Sequence, residues 1–398
     1  MKDIFEKMIS RTNTMSRKWD SLEKHFGHTD VLPLWIADMD FQSPEPLREA
    51  LAKLACDGVY GYTDPNEKIF NSIVSWFSRR HQWDISPASI HFTPGVLSGI
   101  TFALEAFSKS GDGVVIQSPV YPPFAGIPNG MERKPLLNPL VEKEPGHYVM
   151  DLNGLEDIFQ TAKPKWMILC NPHNPVGRVW TEEELKSLAI LCAQYGVGVI
   201  SDEIHGDVVF AGHKYIPFAK IAEPLGVTVL TGFAASKTFN LAGLTTSVWI
   251  VNDPKVREGF WKTFQTYKVN EANLFGIVAL QTCFDHCEDW LDGLNDYLRQ
   301  NAYYVNEMLN YHAPGITANF PEATFMTWLD CREMNLSQEE LKSFFLTKAK
   351  VALNDGTSYG SDGRGFMRLN FGCPREQLRI GLERIVGAAR NEKGWKAE

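Results

Sequence analysis

The sequence predicts an α/β fold: a mostly parallel sheet with helices on both faces, closed by a smaller α+β segment. Three observations predict it. From about residue 90, short β-rich apolar runs alternate with helical stretches, as in strands buried on both faces. The polar residues that stand out follow those runs directly: Asn171 to Gly177, Asp202 to His205, and Ser236-Lys237. After about residue 250 long helices take over, and a short α+β pattern ends the chain.

The elements follow in order. The N-terminal arm is polar and turn-rich as far as Val31-Leu-Pro-Leu-Trp-Ile-Ala-Asp-Met-Asp-Phe41, an apolar run that abruptly carries two acids. Pro46 suits the first turn of a helix over 46–56. Tyr60-Gly61-Tyr62-Thr63-Asp64-Pro65 is a turn cluster with two aromatics. Residues 67–82 form an amphipathic helix with Ile69, Ile73, Trp76 and Phe77 on its apolar side. Ile90-His-Phe-Thr is a strand, and Pro94-Gly95-Val96-Leu97-Ser98-Gly99 opens a helix through Ala106. Gly111-Asp112-Gly113 turns the chain into the strand Val114-Val-Ile-Gln. Strand 166–170 leads to helix 181–195, and strands 198–201 and 228–231 follow. Helices are expected at 254–268, 273–286 and 288–311, then strand 323–329, helix 337–348, strand 366–370 and helix 375–389. No Gly-, Ser- or Pro-rich linker, low-complexity tract or internal repeat interrupts this order.

At 398 residues the chain can hold two or three domains and a large core. Lys and Arg number 39 against 48 Asp and Glu, a net charge of −9 spread without blocks. That argues against nucleic-acid binding and against a polybasic membrane role. Seven dispersed Cys do not make a disulfide framework. The first residues have no apolar signal core, and no apolar run reaches the roughly 18 residues of a membrane helix. The expectation is a cytoplasmic, reduced protein that is not embedded in a membrane. Cys283-Phe-Asp-His-Cys287 has helical spacing but no further ligands, so no metal site is expected.

Lys237 stands among small residues, with Gly243 close behind, after an apolar run. Two readings fit it. A desolvated amine loses its charge and becomes a nucleophile or Schiff-base former. Alternatively, a partly buried Lys pairs with a carboxylate. In Cys170-Asn171-Pro172-His173-Asn174-Pro175-Val176-Gly177 the prolines fix a rigid turn and leave Asn174 free to aim its amide; the plainer reading is a tight turn and nothing more. An acid at the strand end, Asp202, needs a cationic partner or it is protonated. A protonated pyridine nitrogen would supply one. Ligands of parallel sheets sit at the carboxyl ends of strands, which favours the functional reading of Lys237.

The spacing of Asn171-Pro-His-Asn-Pro-Val-Gly177, Asp202-Glu203 and Ser236-Lys237 resembles that of fold-type I pyridoxal 5'-phosphate (PLP) enzymes, the aspartate aminotransferase superfamily. Trp35-Ile-Ala-Asp-Met-Asp-Phe41, Tyr60-Gly-Tyr-Thr63, Asp202-Glu-Ile-His205 and Ser236-Lys-Thr-Phe-Asn-Leu-Ala-Gly-Leu244 are similar to the MalY/PatB-type, cystalysin-like cystathionine β-lyases. The resemblance runs from the N-terminal arm to Arg368. It implies a seven-stranded large PLP-binding domain over 46–285, and a small α+β domain from 1–45 and 286–398.

Residue by residue, the resemblance implies that Lys237 holds PLP covalently and that Asp202 pairs with the ring nitrogen. Asn174 would bond the phenolic oxygen and Tyr121 would stack on the ring. The plainer reading of Tyr121 is a packed core aromatic. Gly95, Val96 and Leu97 would offer backbone N–H groups to the phosphate at a helix N-terminus. Ser236 and Tyr62 would add to phosphate binding, Tyr62 from a neighbouring subunit in a homodimer with shared sites. His205 would pack beside the cofactor. Arg368 would clamp the substrate α-carboxylate, with Asn174, Ala37 and Tyr121 also facing substrate. Ala234 and Thr245 depart from the Ser/Thr and Arg of many aminotransferases. The implied reaction is α,β-elimination from cystathionine, cysteine or a related thioether, with Lys237 and Tyr121 as the proton-handling groups. An aminotransferase of the same fold and a regulator that keeps the fold are the alternatives.

Overall fold

The computed structural model describes residues 2–269 and 273–392. The ends of the expected small domain, residue 1 and residues 393–398, lie outside the described residues. The seven-stranded sheet is present, built from β1 (Ile90–Thr93), β2 (Gly113–Ile116), β3 (Lys134–Leu137), β4 (Trp166–Cys170), β5 (Gly198–Asp202), β6 (Val229–Phe233) and β7 (Ser247–Ile250). Its spatial order is β1-β7-β6-β5-β4-β2-β3. The run from β6 to β3 is parallel, and β7 lies antiparallel to both its neighbours. The three central strands β4, β5 and β6 are buried along their whole length. Their continuous apolar character follows from helices covering both faces.

Two of the sheet strands carry no clear signal in the sequence. β3 contains Pro135, which a strand at the sheet edge tolerates because its missing N–H need not face a partner. β7 is a four-residue run, Ser-Val-Trp-Ile, lying between two helical stretches. The hairpin Val141–Glu144/His147–Val149 and the helices Pro123–Gly130 and Leu152–Ala162 were likewise unmarked.

The helix Val96–Phe107 lies close on the sheet because two glycines leave room for one indole. A Cβ on Gly99 would fall 1.9 Å from Nε1 of Trp249, and one on Gly232 would fall 2.7 Å from the same ring. This close approach brings the helix N-terminus to the carboxyl ends of the strands.

A second sheet of four antiparallel strands completes the fold: β8 (Thr317–Ala318), β9 (Met326–Asp330), β10 (Asn354–Asp355) and β11 (Phe366–Asn370), in the order β8-β9-β11-β10. Two expectations need correction here. The strand expected at 323–329 begins only at Met326, because Thr324 takes φ +73° and breaks the extended backbone. The helix expected at 337–348 is α-helical over Gln338–Ser343 and widens to a π turn over Phe344–Lys348, where Phe344 and Phe345 are both buried.

The arm is not the open, turn-rich tail its polarity suggests. It holds short helices at Arg17–Asp20 and Leu22–Phe26, and Leu32–Pro33 pairs in parallel with Val351–Ala352. The two abrupt acids explain its docking. Asp40 is buried and accepts from Lys18 Nζ at 2.7 Å, Arg11 Nη1 at 2.7 Å, Trp19 Nε1 at 2.9 Å and Gln377 Nε2 at 2.8 Å. Burial works against its charge, but the Lys18, Trp19 and Arg11 donors hold the carboxyl below its ordinary range. Lys18 is itself 0% exposed, so this pair is a buried one. No helix among the described residues is long and apolar enough to cross a membrane.

Candidate active site

Five strand ends deliver the site. After β1, the chain turns through Gly95 at φ +95° into the helix Val96–Phe107, a backbone conformation open to glycine and strained for other residues. That helix has no side-chain N-cap, so its first N–H groups face the cavity unsatisfied. Beyond β2 comes Tyr121, beyond β4 Asn174, at the end of β5 Asp202, and four residues past β6 Lys237, on the one-turn helix Ala235–Thr238.

These residues line a cavity of about 200 Å³ together with Ala37, Leu97, His205, Ser236, Thr245 and Thr246. A second cavity, of about 600 Å³, adjoins it and is lined by Arg368, Asn354, Tyr359, Trp35 and part of the N-terminal arm. Ala37, Tyr121, Lys237 and Ala242 line both, so the Lys237 amine stands where the two meet.

The electrostatics of the site are those of groups that lack charge partners within the protein. Asp202 is buried, and burial pushes its carboxyl up to about 7 against the opposing Ile204 N–H bond and the Lys237 charge. The Ile204 N–H donates to Oδ1 at 3.1 Å, and no cation among the described residues comes within ion-pair distance. Lys237 is pushed down to about 8, chiefly by burial and further by Arg368, with Asp38 and Asp202 opposing. Its Nζ donates to the Ala37 carbonyl and not to a carboxylate, so the ion-pair reading of this Lys does not hold. His205 is buried and held neutral by burial and by the Lys237 and Arg368 charges, and its Nδ1 has no protein partner. Burial raises the Tyr121 phenol above its ordinary value, so it keeps its proton at neutral pH.

Arg368 lies on β11, in register with Trp328 on one side and Asn354 on the other. It is 2% exposed. Nη1 donates to Asn174 Oδ1 at 3.1 Å, and Nη2 donates to Asn354 Oδ1 at 2.7 Å and to the Trp35 carbonyl at 2.9 Å. The guanidinium stacks 5.1 Å from the Tyr359 ring, and Nε has no protein partner. Among the described residues no carboxylate pairs with it, so a buried cation is left for an anionic ligand. A guanidinium only donates, so the Asn174 oxygen faces Arg368 and its NH₂ is the end left for a ligand acceptor.

The donor set fits PLP. Asp202 lacks the cation that a ring nitrogen would bring. Asn174 has a spare donor. The uncapped helix at Gly95–Leu97, with the Ser236 hydroxyl beside it, suits a phosphate. Thr245 and Thr246 line this end with hydroxyls and no guanidinium, in keeping with the Thr245 departure. Glu203 stands apart: its carboxylate is taken up by Tyr215, Ser201 and the Phe218 N–H, away from the cavity. Tyr62 also stays outside both cavities and is 95% exposed. Among the described residues no cluster of His, Cys, Asp and Glu could hold a metal.

Several residues escaped sequence reasoning. Asn354 and Tyr359 gave no signal, because Asn354 reads as an ordinary polar residue after an apolar run and Tyr359 as part of a Gly- and Ser-rich turn. Arg11, Ser16 and Arg17 lie in a stretch whose polarity resembles a solvated tail. The abrupt Asp38 and Asp40 were the available signal, since buried acids demand nearby cations.

The family model for aminotransferase class I and II matches residues 29–385. The chain is 41% identical over 384 residues to cystathionine beta-lyase PatB of Bacillus subtilis, covering 96% of this chain and 99% of that relative. It is 33% identical over 388 residues to protein MalY of Escherichia coli, covering 97% and 98%. Among solved structures it matches cystalysin from Treponema denticola, which contains a pyridoxal 5'-phosphate cofactor, with TM-score 0.94 and 35% identity over 97% and 98% of the two chains.

Proposed function

The chain belongs to the aminotransferase class I and II family, and on that premise we propose that it is a PLP-dependent carbon–sulfur β-lyase. Its substrate would be cystathionine, cysteine or a related thioether. The observation that carries the reading is the convergence on Lys237, a depressed amine between a cofactor-sized cavity and one walled by an unpaired buried Arg368. The similarity to PatB favours elimination over amino transfer.

The residues take the following roles. Lys237 would hold PLP covalently, Asp202 would keep a proton on its ring nitrogen, and Asn174 would donate to its phenolic oxygen. Gly95, Val96, Leu97 and Ser236 would bind the phosphate, with Tyr121 against the ring face and His205 behind it. Bound there, the cofactor supplies a sink for the electron pair left on the substrate α-carbon. Arg368 takes the α-carboxylate and, with Asn174 and Ala37, fixes the Cα–H bond relative to Lys237. The Lys237 amine, pushed down to about 8, takes the α-proton as general base. Tyr121, which keeps its proton, or the newly charged Lys237 then protonates the departing sulfur. The three-carbon enamine left behind takes up water to give pyruvate and ammonia beside the thiol.

The loaded protein is expected to release pyruvate and thiol steadily from cystathionine with no keto acid added. Pyruvate formed only in proportion to an added keto acid would identify an aminotransferase instead.

A homodimer with shared sites is part of the same proposal. Tyr62 is 95% exposed next to Val59 at 79% and Tyr60 at 59%, an apolar stretch that suits a subunit contact. Light scattering should give twice the chain mass, and Tyr62→Phe should weaken PLP retention. A monomer with full activity overturns this part. The division into domains 46–285 and 1–45 with 286–398 also remains a proposal, supported by the separate sheets, as does a cytoplasmic location.

A further inference from the structure

Every group that holds Arg368 is neutral: two amide oxygens, Asn174 Oδ1 and Asn354 Oδ1, the Trp35 carbonyl and the face of the Tyr359 ring. Strand pairing decides this. Asn354 of β10 stands directly opposite Arg368 of β11, and Asp355 opposite Met367. Successive side chains leave opposite faces of a strand. Asn354 therefore shares the face of Arg368, and the neighbouring acid does not. Asp355 is engaged elsewhere: Oδ1 accepts from Gln338 Nε2 at 2.8 Å and from the Thr357 N–H at 2.9 Å, and Lys342 Nζ stands 3.6 Å from Oδ2. A pairing one residue out of step would set that carboxylate against the guanidinium and cancel its charge.

Asn354 is half-buried and lines the larger cavity together with Arg368. A guanidinium offers only N–H groups, so the amide turns its oxygen toward Arg368, at 2.7 Å from Nη2. That bond fixes the plane of the amide. Its NH₂ is left without a partner among the described residues, on a side chain that faces the cavity. A cation held by dipoles alone, with a spare donor beside it, suits one carboxylate better than any neutral group.

We propose that Asn354 is a substrate-binding residue: its oxygen orients the Arg368 guanidinium, and its NH₂ donates to the same carboxylate that Arg368 binds. The position requires a neutral side chain, because an acid there would occupy the guanidinium in place of the ligand. Under the proposed function that ligand is an amino-acid α-carboxylate, and the assignment rests on that part of the reading.

The test is binding to the PLP-loaded protein, read from its absorbance, for L-alanine and for L-alaninol, which lacks the carboxylate. Wild type is expected to bind alanine at least about tenfold more tightly than alaninol, as for a charge-assisted hydrogen bond. Asn354→Asp keeps an acceptor in the same place and sets a like charge beside the ligand. It should weaken alanine binding by about tenfold to a hundredfold and move alaninol by less than about twofold. Asn354→Ala removes the donor without adding a charge and should weaken alanine by about threefold to tenfold. The order of the two variants discriminates. If Asn354 only held Arg368 in place, Asp would substitute better than Ala, since it still accepts from the guanidinium. Ala more harmful than Asp, equal changes for alanine and alaninol, or a wild type with no preference for alanine overturns the proposal. Should Asn354→Asp fail to fold, Asn354→Ala decides: an unchanged preference for alanine overturns the assignment, and a loss confined to alanine supports it. Pyruvate release from cystathionine is read separately. Its absence with the alanine preference intact sinks the β-lyase reading and leaves the Asn354 assignment standing.

Discussion

Lys237→Ala is expected to leave a folded protein that no longer retains PLP covalently and whose turnover falls by at least about 10³-fold. The loss combines two functions of one amine. A positioned general base contributes about 10²–10⁴-fold by itself, and the covalent anchor is lost with it. Borohydride reduction followed by peptide mass analysis reads the anchor directly: wild type should carry the cofactor mass on the peptide containing Lys237, and the variant should carry none. Pyruvate release reads the base. Retained covalent loading on another lysine, or activity within tenfold of wild type, would overturn the assignment. Lys237 faces the Ala37 carbonyl and not an acid, so removing it strands no partner carboxylate.

The second expected result joins stability and function with opposite signs. In the cofactor-free protein Asp202 is a buried acid pushed up to about 7 from an ordinary 3.8. Between those two values the unfolded chain has released its proton while the folded chain holds it. Stability contributed by this group is therefore lost as pH rises from about 4 to about 7. Asp202→Asn removes the titration. The cofactor-free variant should melt a few degrees above cofactor-free wild type at pH 8, and the gap should narrow toward pH 4. With PLP bound the order should reverse, because wild type gains a cation opposite its carboxylate and the variant does not. Turnover of the variant should fall by about 10²–10³-fold, as for a preorganised charge removed from a reacting centre. Melting curves across pH, with and without PLP, check this. A variant less stable than wild type in the cofactor-free form at pH 8 would sink it.

Much of this site was legible because a buried parallel sheet leaves few places for polar residues. Asn174, Asp202 and Lys237 each follow an apolar strand, and a polar side chain there faces a ligand or stands uncompensated. Arg368 was different. It sits mid-strand in Phe366–Asn370, and only its resemblance to a family marked it out, since its partners Asn174 and Asn354 are distant in sequence. The arm was misjudged for a related reason. Its charges look solvated when read locally, and their burial depends on Asp38 and Asp40, about twenty residues on. β7 and the π turn were missed because short runs and local widening of a helix leave no periodicity to detect.

The knot around Asp40 also constrains how molecules reach the site. Detaching the arm would separate Lys18 from Asp40 and leave buried charges unpaired, at a cost of about 3–5 kcal/mol. At that cost the arm stands open in about one molecule in 150 or fewer. Traffic through the larger cavity therefore passes along a standing wall rather than through a swinging door.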